Sequence, residues 1–235
     1  MSSASVFSRG SDAVRDFLQR GAIAHVEWPR TLILPRDASW VSLLIMDDDF
    51  GLQVVFHLKK HTIKGEDGRK DRDVYVRIPC NIDNHLDATC CLCEEGRNKY
   101  PGTLLTVFNP EGYHDKGSDK TYPMLKRLWI VDPSLAVPLL ALRDAHGSFR
   151  GMGVRTRITD SSRYHSSGDE VELIGVRPPE KWPGIATQFG ADPEKLTFAP
   201  FHYDGFVRPW TNDQMRAFLA GHLPDSPQAQ KDADA

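Results

Sequence analysis

Residues 73–93 read DVYVRIPCNIDNHLDATCCLC, and two different signals meet there. The first is a period of two. Val74, Val76 and Ile78 alternate with Asp73, Tyr75 and Arg77, so a strand that buries the first set turns Tyr75 and Arg77 outward together. The second is a cysteine cluster: all four cysteines of the chain, Cys80, Cys90, Cys91 and Cys93, fall within fourteen residues. In a reducing compartment such clustering favours metal over disulfide. Cys90 and Cys93 stand at C-x2-C spacing, from which two thiolates on a tight turn reach one zinc without strain, and Cys80 adds a third. The fourth ligand is sought among His57, His61, His85 and Cys91. Cys91 is expected to point away, because both its neighbours at 90 and 93 already hold the metal. His61, at the end of the preceding hairpin arm, is the preferred ligand and His57 the second choice. The expected site is one structural Zn2+ held by His61, Cys80, Cys90 and Cys93, which folds a loop too poor in apolar residues to fold itself.

Outward from this stretch, short runs rich in β-branched and aromatic residues recur at 31–34, 40–46, 52–58, 103–109, 124–131, 152–159 and 170–176, separated by Gly, Pro, Asp and Asn. This is the pattern of a mainly β protein, a small barrel or sandwich with insertions. A helix is expected over 11–20, with Ser11 as N-cap and Gly21 to close it, and another where Pro133 and Ser134 precede Leu135, Leu139 and Leu142, ended by Gly147. Thr211 with Gln214 makes a capping box for a last helix bearing Met215, Phe218 and Leu219. The expected organisation is a lead-in with a helix over 1–30, a β core over 31–180 with a zinc subdomain at about 57–100, an extension with a helix over 181–222, and a polar tail over 223–235.

The order of an upstream His, then Val74-Tyr75-Val76-Arg77-Ile78-Pro79-Cys80, then C-x9-C-x2-C ending at Cys93, resembles the zinc-containing single-stranded DNA-binding proteins of tailed bacteriophages. The three-cysteine spacing is similar to that of the T-even phage members, and the resemblance spans about residues 31–180. It implies an OB-fold-like small barrel with a zinc-bearing insertion and peripheral N- and C-terminal helices. It also implies binding of single strands without strong sequence preference, in phage DNA replication, recombination or repair. Replication or recombination proteins are the partners it suggests, with self-association left open.

Single strands are held by basic side chains for phosphates and aromatic faces for bases, each stacked base contributing on the order of 1–3 kcal/mol. Besides Tyr75 and Arg77, the candidates are Lys59 and Lys60 on the basic hairpin, Lys126, Arg127 and Trp129 on the run 124–131, and Arg155 and Arg157, which alternate with Val154 and Ile158. Charge is unevenly spread in the same sense. Between Phe56 and Arg157 there are 17 Lys and Arg against 13 Asp and Glu, and outside that window 12 against 19.

The chain of 235 residues, 40% hydrophobic and 26% charged with a net charge of −3, has the balance of a globular protein, not a disordered chain or a body that coats duplex DNA by charge alone. Its richest apolar run, 135–142, is far short of the ~20 residues that cross a bilayer and contains Pro138. The start of the chain lacks the basic and apolar segments of a secretory signal, so the expected location is the cytoplasm, that of the host cell for a phage protein. No G-x-S-x-G, H-E-x-x-H or Walker loop is present, and the protein is expected not to be an enzyme. Two other readings are written in the same residues. One is a zinc nucleobase deaminase using His25, Glu27, Cys90 and Cys93, against which stand Thr89 in place of the motif's Pro and β-strand signals between its halves. The other is a zinc-stapled protein-binding adaptor, since OB barrels serve both purposes.

Overall fold

The computed structural model describes residues 29–35, 37–63, 72–115, 120–122, 124–159, 168–207 and 210–220. The helix expected over 11–20, the residues His25 and Glu27, the charged loop 64–71 and the tail over 223–235 lie outside these. Among the described residues the protein is a mainly antiparallel β structure with four α-helices, and no helix is long and apolar enough to cross a membrane. Two compact units divide the chain. One takes its described residues from 54–101 and 203–220, the other from 29–53 and 102–202.

The second unit is built on β1 (Val41–Ile45), β4 (Lys99–Asn109), β7 (Leu125–Val131), β8 (Met152–Arg157) and β9 (Glu170–Val176), paired antiparallel in the order β7-β4-β1-β8-β9. Within this unit β7 and β9 are the outer strands and do not pair with each other, so the described strands form an open sheet and do not close the expected barrel. The run 31–34 makes a single parallel bridge from Thr31 to Leu128 and no strand. One sheet face carries Leu43, Ile45, Leu105, Val107, Trp129, Val131, Met152 and Val154 into a core with Leu135, Leu139 and Phe149. Leu44, Met46 and Phe108 pack on the other face with Met124, Trp182 and Ala186. Strands buried on both sides read as continuous apolar runs, as 43–46 does.

Helix α2 (Pro133–His146) forms where the sequence signals it. The Asp132 carboxylate accepts from the N–H groups of Ser134 and Leu135, Pro133 sits in the first turn, and Leu135 and Leu139 enter the core one turn apart. Gly147, at φ 81, ends it by letting its N–H return to the Arg143 carbonyl. Replacing Asp132 by alanine is expected to cost about 1 kcal/mol, seen as a lower urea midpoint at unchanged slope. Helix α3 (Trp182–Gln188), whose Pro183 lies in the first turn, follows the Pro-rich segment where no element was expected.

In the first unit β2 (Leu52–Ile63) and β3 (Arg72–Pro79) form a hairpin with Phe56 opposite Pro79 and Ile63 opposite Arg72. Both strands are as expected, with β2 running past the expected end at 58. After β3 comes α1 (Cys91–Glu94), and α4 (Asn212–Leu219) carries the expected capping box in full, Thr211 with the Gln214 N–H and Gln214 with the Thr211 N–H. Ile78, Cys80, Cys90, Leu92, Trp210, Met215 and Phe218 are its core. The remaining hairpin, β5 (Tyr113–Asp115) with β6 (Lys120–Tyr122), belongs to the second unit and was not anticipated.

Candidate metal centre

Three short segments converge in the first unit. Val55 on β2 accepts the Cys80 N–H at 2.8 Å, which brings the end of β3 beside His57. The loop after Cys80 is pinned by the buried Asn84, whose amide nitrogen donates to the carbonyls of Val55 and Cys80 at 2.6 and 2.7 Å and whose oxygen accepts from the Val55 N–H at 2.9 Å. The Cys90 carbonyl then accepts from the N–H groups of Cys93 and Glu94, a turn that folds Cys93 back toward Cys90. Gly96, at φ 69, closes this turn through its N–H to the Cys93 carbonyl.

The result is one set of donors. His57, Cys80, Cys90 and Cys93 place their ligand atoms all within 4.8 Å of one another and could hold a metal ion. The sulfurs of Cys80 and Cys93 are 3.4 Å apart, and His57 Nε2 lies 3.7 Å from Cys90 Sγ and 3.6 Å from Cys93 Sγ. A disulfide would need about 2.05 Å. A tetrahedral ion with Zn–S near 2.3 Å and Zn–N near 2.05 Å sets S–S edges of about 3.8 Å and N–S edges of about 3.5 Å, and these three distances fall within a few tenths of an ångström of those edges.

The imidazole is also set for ligation. Its Nδ1 stands 3.1 Å from the Asn98 carbonyl, which can only accept, so Nδ1 carries the proton and the Nε2 lone pair faces the sulfurs. Burial holds the His57 pKa down, keeping the ring neutral as a ligand must be. Burial pushes the Cys80 thiol up to about 12 and the Cys93 thiol upward too, so a divalent cation is needed to draw both into the thiolate form. At the edge, the Cys80 thiol donates to Asp83 at 3.2 Å, and Asp83 is held in its charged form mainly by Lys99 at 2.6 Å.

The three cysteines chosen from the sequence are gathered here, and the described histidine that joins them is His57, the second choice; the side chain of the preferred His61 lies outside the described ones. His57 lies opposite Ile78, two residues before Cys80; His61 lies opposite Val74, six residues before it. His85 is exposed and outside the set. Cys91 turns away as expected: its backbone N–H donates to Asn212 Oδ1 at 2.9 Å and its thiol faces the Asn212 carbonyl, which ties α1 to α4.

The second unit holds most of the candidate strand-binding residues. Directly opposed residues share a sheet face, and the pairs Leu44 with Phe108, Phe108 with Lys126, and Ser42 with Arg155 place Lys126, Arg155 and Arg157 on one face. Arg127 falls on the other face, so it and Lys126 do not address one ligand together. Trp129 is fully buried in the core, and its ring is closed to a base. On the shared face the Lys126 ammonium lies 4.5 Å from the Phe201 ring centre, and burial lowers its pKa. Arg155 and Arg157 lie 4.7 and 4.4 Å from the ring centre of Trp40, an aromatic that sequence reasoning missed. The signal was present: Trp40 is two residues before Ser42, in phase with it, hence on the arginine face. In the first unit, Lys59 and Lys60 stand opposite Val76 and Tyr75, and Arg77 stands opposite Leu58. The side chains of Lys59, Lys60, His61 and Tyr75 are outside the described ones. Among known proteins, no family model matches this chain and no curated protein or solved structure is significantly similar to it.

Proposed function

We propose that this chain is a zinc-stapled single-stranded DNA-binding protein, with an OB-like β core, that acts by stoichiometric binding in phage replication, recombination or repair. The observation that carries the reading is the cluster that Trp40 makes with Arg155 and Arg157 on strand β8. Cations beside aromatic rings on an extended surface are what sequence-tolerant single-strand binding requires. The cysteine spacing, with its phage resemblance, supports the same conclusion. Bases stack, phosphates displace counterions, and the strand is kept from reannealing.

Zinc would be held by His57, Cys80, Cys90 and Cys93, where it supplies fold stability. Four protein donors leave no coordination position for an activated water, which speaks against the deaminase reading, as does the use of Cys80 as a ligand. The protein would work in the cytoplasm of a host cell, beside replication or recombination proteins.

The test is fluorescence anisotropy of labelled oligo-dT and of a matched duplex at two salt concentrations. Tight, salt-sensitive binding of the single strand with much weaker duplex binding is expected. Binding to neither would favour the protein-binding adaptor, a reading with one observation of its own: Arg155 and Arg157 are both ion-paired to glutamates.

A further inference from the structure

The arginine face carries its own anions. Arg155 donates from Nε at 2.7 Å and from Nη2 at 2.6 Å to the same Glu172 oxygen, and Arg157 Nε donates at 2.7 Å to Glu170. The pairs are cross-strand partners in register, Arg155 with Glu172 and Arg157 with Glu170, so the carboxylates are delivered by the sheet itself. All four side chains are 32% to 51% exposed, and Trp40 lies against both guanidiniums. A carboxylate and a phosphate present the same hydrogen-bonding edge to arginine. Two residues along one strand are about 6.7 Å apart, the scale of a nucleotide step in an extended single strand.

Resting on the function proposed above, we propose that Arg155 and Arg157 form a subsite for two successive phosphates of a single strand, that Glu170 and Glu172 occupy the phosphate positions when no strand is bound, and that Trp40 positions both guanidiniums throughout. Binding is then an exchange of anions at fixed cations. The glutamates weaken the grip and make the strand releasable. Exposed ion pairs of this kind are individually weak, so a polyanion displaces them. Each exchange leaves a bare carboxylate behind, which lowers the number of counterions released.

The experiment compares wild-type protein with the Glu170→Gln/Glu172→Gln variant in anisotropy titrations of oligo-dT across a salt series. Glu180→Gln/Glu194→Gln, altered at two exposed carboxylates elsewhere, is the charge-matched control. The first variant is expected to bind several-fold to roughly thirtyfold more tightly, the factor that two ordinary exposed pairs represent. Its plot of log affinity against log salt should steepen by up to about 1.4, the slope for two further phosphates on a single strand. The control should show neither change. Adding Trp40→Ala to the first variant should remove most of the gain, and Trp40→Phe should retain it. Wild-type binding with the same slope in all three proteins overturns the latch and leaves the function proposal standing. A gain of equal size in the control also overturns it, since the effect would then be overall charge. No binding by wild type or by the glutamine variant overturns both proposals together.

Discussion

Replacing Cys90 with serine is expected to abolish stoichiometric metal binding and to lower the apparent melting temperature of the first unit by roughly 10 °C or more. Cys90 is fully buried and its sulfur lies 3.7 Å from His57 Nε2, so its loss leaves three candidate donors and a buried hydroxyl where a metal site would require a thiolate. The unit has little else to fall back on, since Cys80, Cys90 and Leu92 are themselves part of its small core with Trp210, Met215 and Phe218. Metal analysis of protein purified in zinc, together with a thermal melt before and after chelation, reads both effects. Cys91→Ser is the internal comparison. It alters a buried thiol that faces the Asn212 carbonyl and not the metal, so metal content should stay at one ion per chain and the melt should move by only a few degrees. Full metal content and an unchanged melt in Cys90→Ser would remove the metal assignment.

Gly151→Ala is expected to destabilise the second unit by about 2–5 kcal/mol. Gly151 has φ 83, where an L side chain costs about 1–2 kcal/mol. A Cβ there would also press into the Arg177 carbonyl oxygen, which is backbone and cannot swing aside. The surrounding hydrogen bonds are interlocked: Gly151 N–H donates to Ile45, Arg177 N–H donates to Gly151, and Trp182 Nε1 donates to that same Arg177 carbonyl at 2.6 Å. Shifting Arg177 therefore loosens Trp182, the largest side chain of the core on its sheet face. A forced backbone shift of this kind adds about 1–3 kcal/mol. Urea unfolding should show a much lower midpoint, whereas a change near that of an ordinary surface substitution, within about 0.5 kcal/mol, would mean the loop absorbs the methyl group.

What was legible in the sequence was whatever rests on local chemistry. The Thr211 box, the Pro133-Ser134 start with its Gly147 stop, and the strand over 73–79 depend on neighbours within a few residues, and each is present. The cysteines were legible because C-x2-C is a local turn. The histidine was not, because His57 and His61 are in phase on one strand and only the hairpin register separates them. A turn centred on Gly65-Glu66-Asp67-Gly68 would place residue 57 across from 76–78, near Cys80, and that count decides between them. Trp129 defeated the alternation rule for another reason. Leu128, Trp129, Ile130 and Val131 are all buried, and a strand covered on both faces has no outward phase to read. Trp40 went unnoticed because its role depends on strand β8 more than a hundred residues later, which is a matter of topology.

The tie between α1 and α4 has a consequence in time. All four candidate ligands lie between residues 57 and 93, but Asn212, which holds the Cys91 backbone, and the core residues Met215 and Phe218 come more than a hundred residues later. At about 5–20 residues per second of synthesis, that interval is roughly 6–24 seconds. A nascent chain thus exposes its complete set of thiols and imidazole to the metal pool before the C-terminal helix exists to cover them. If the four donors take an ion at that stage, the helix would then seal a centre that is already loaded.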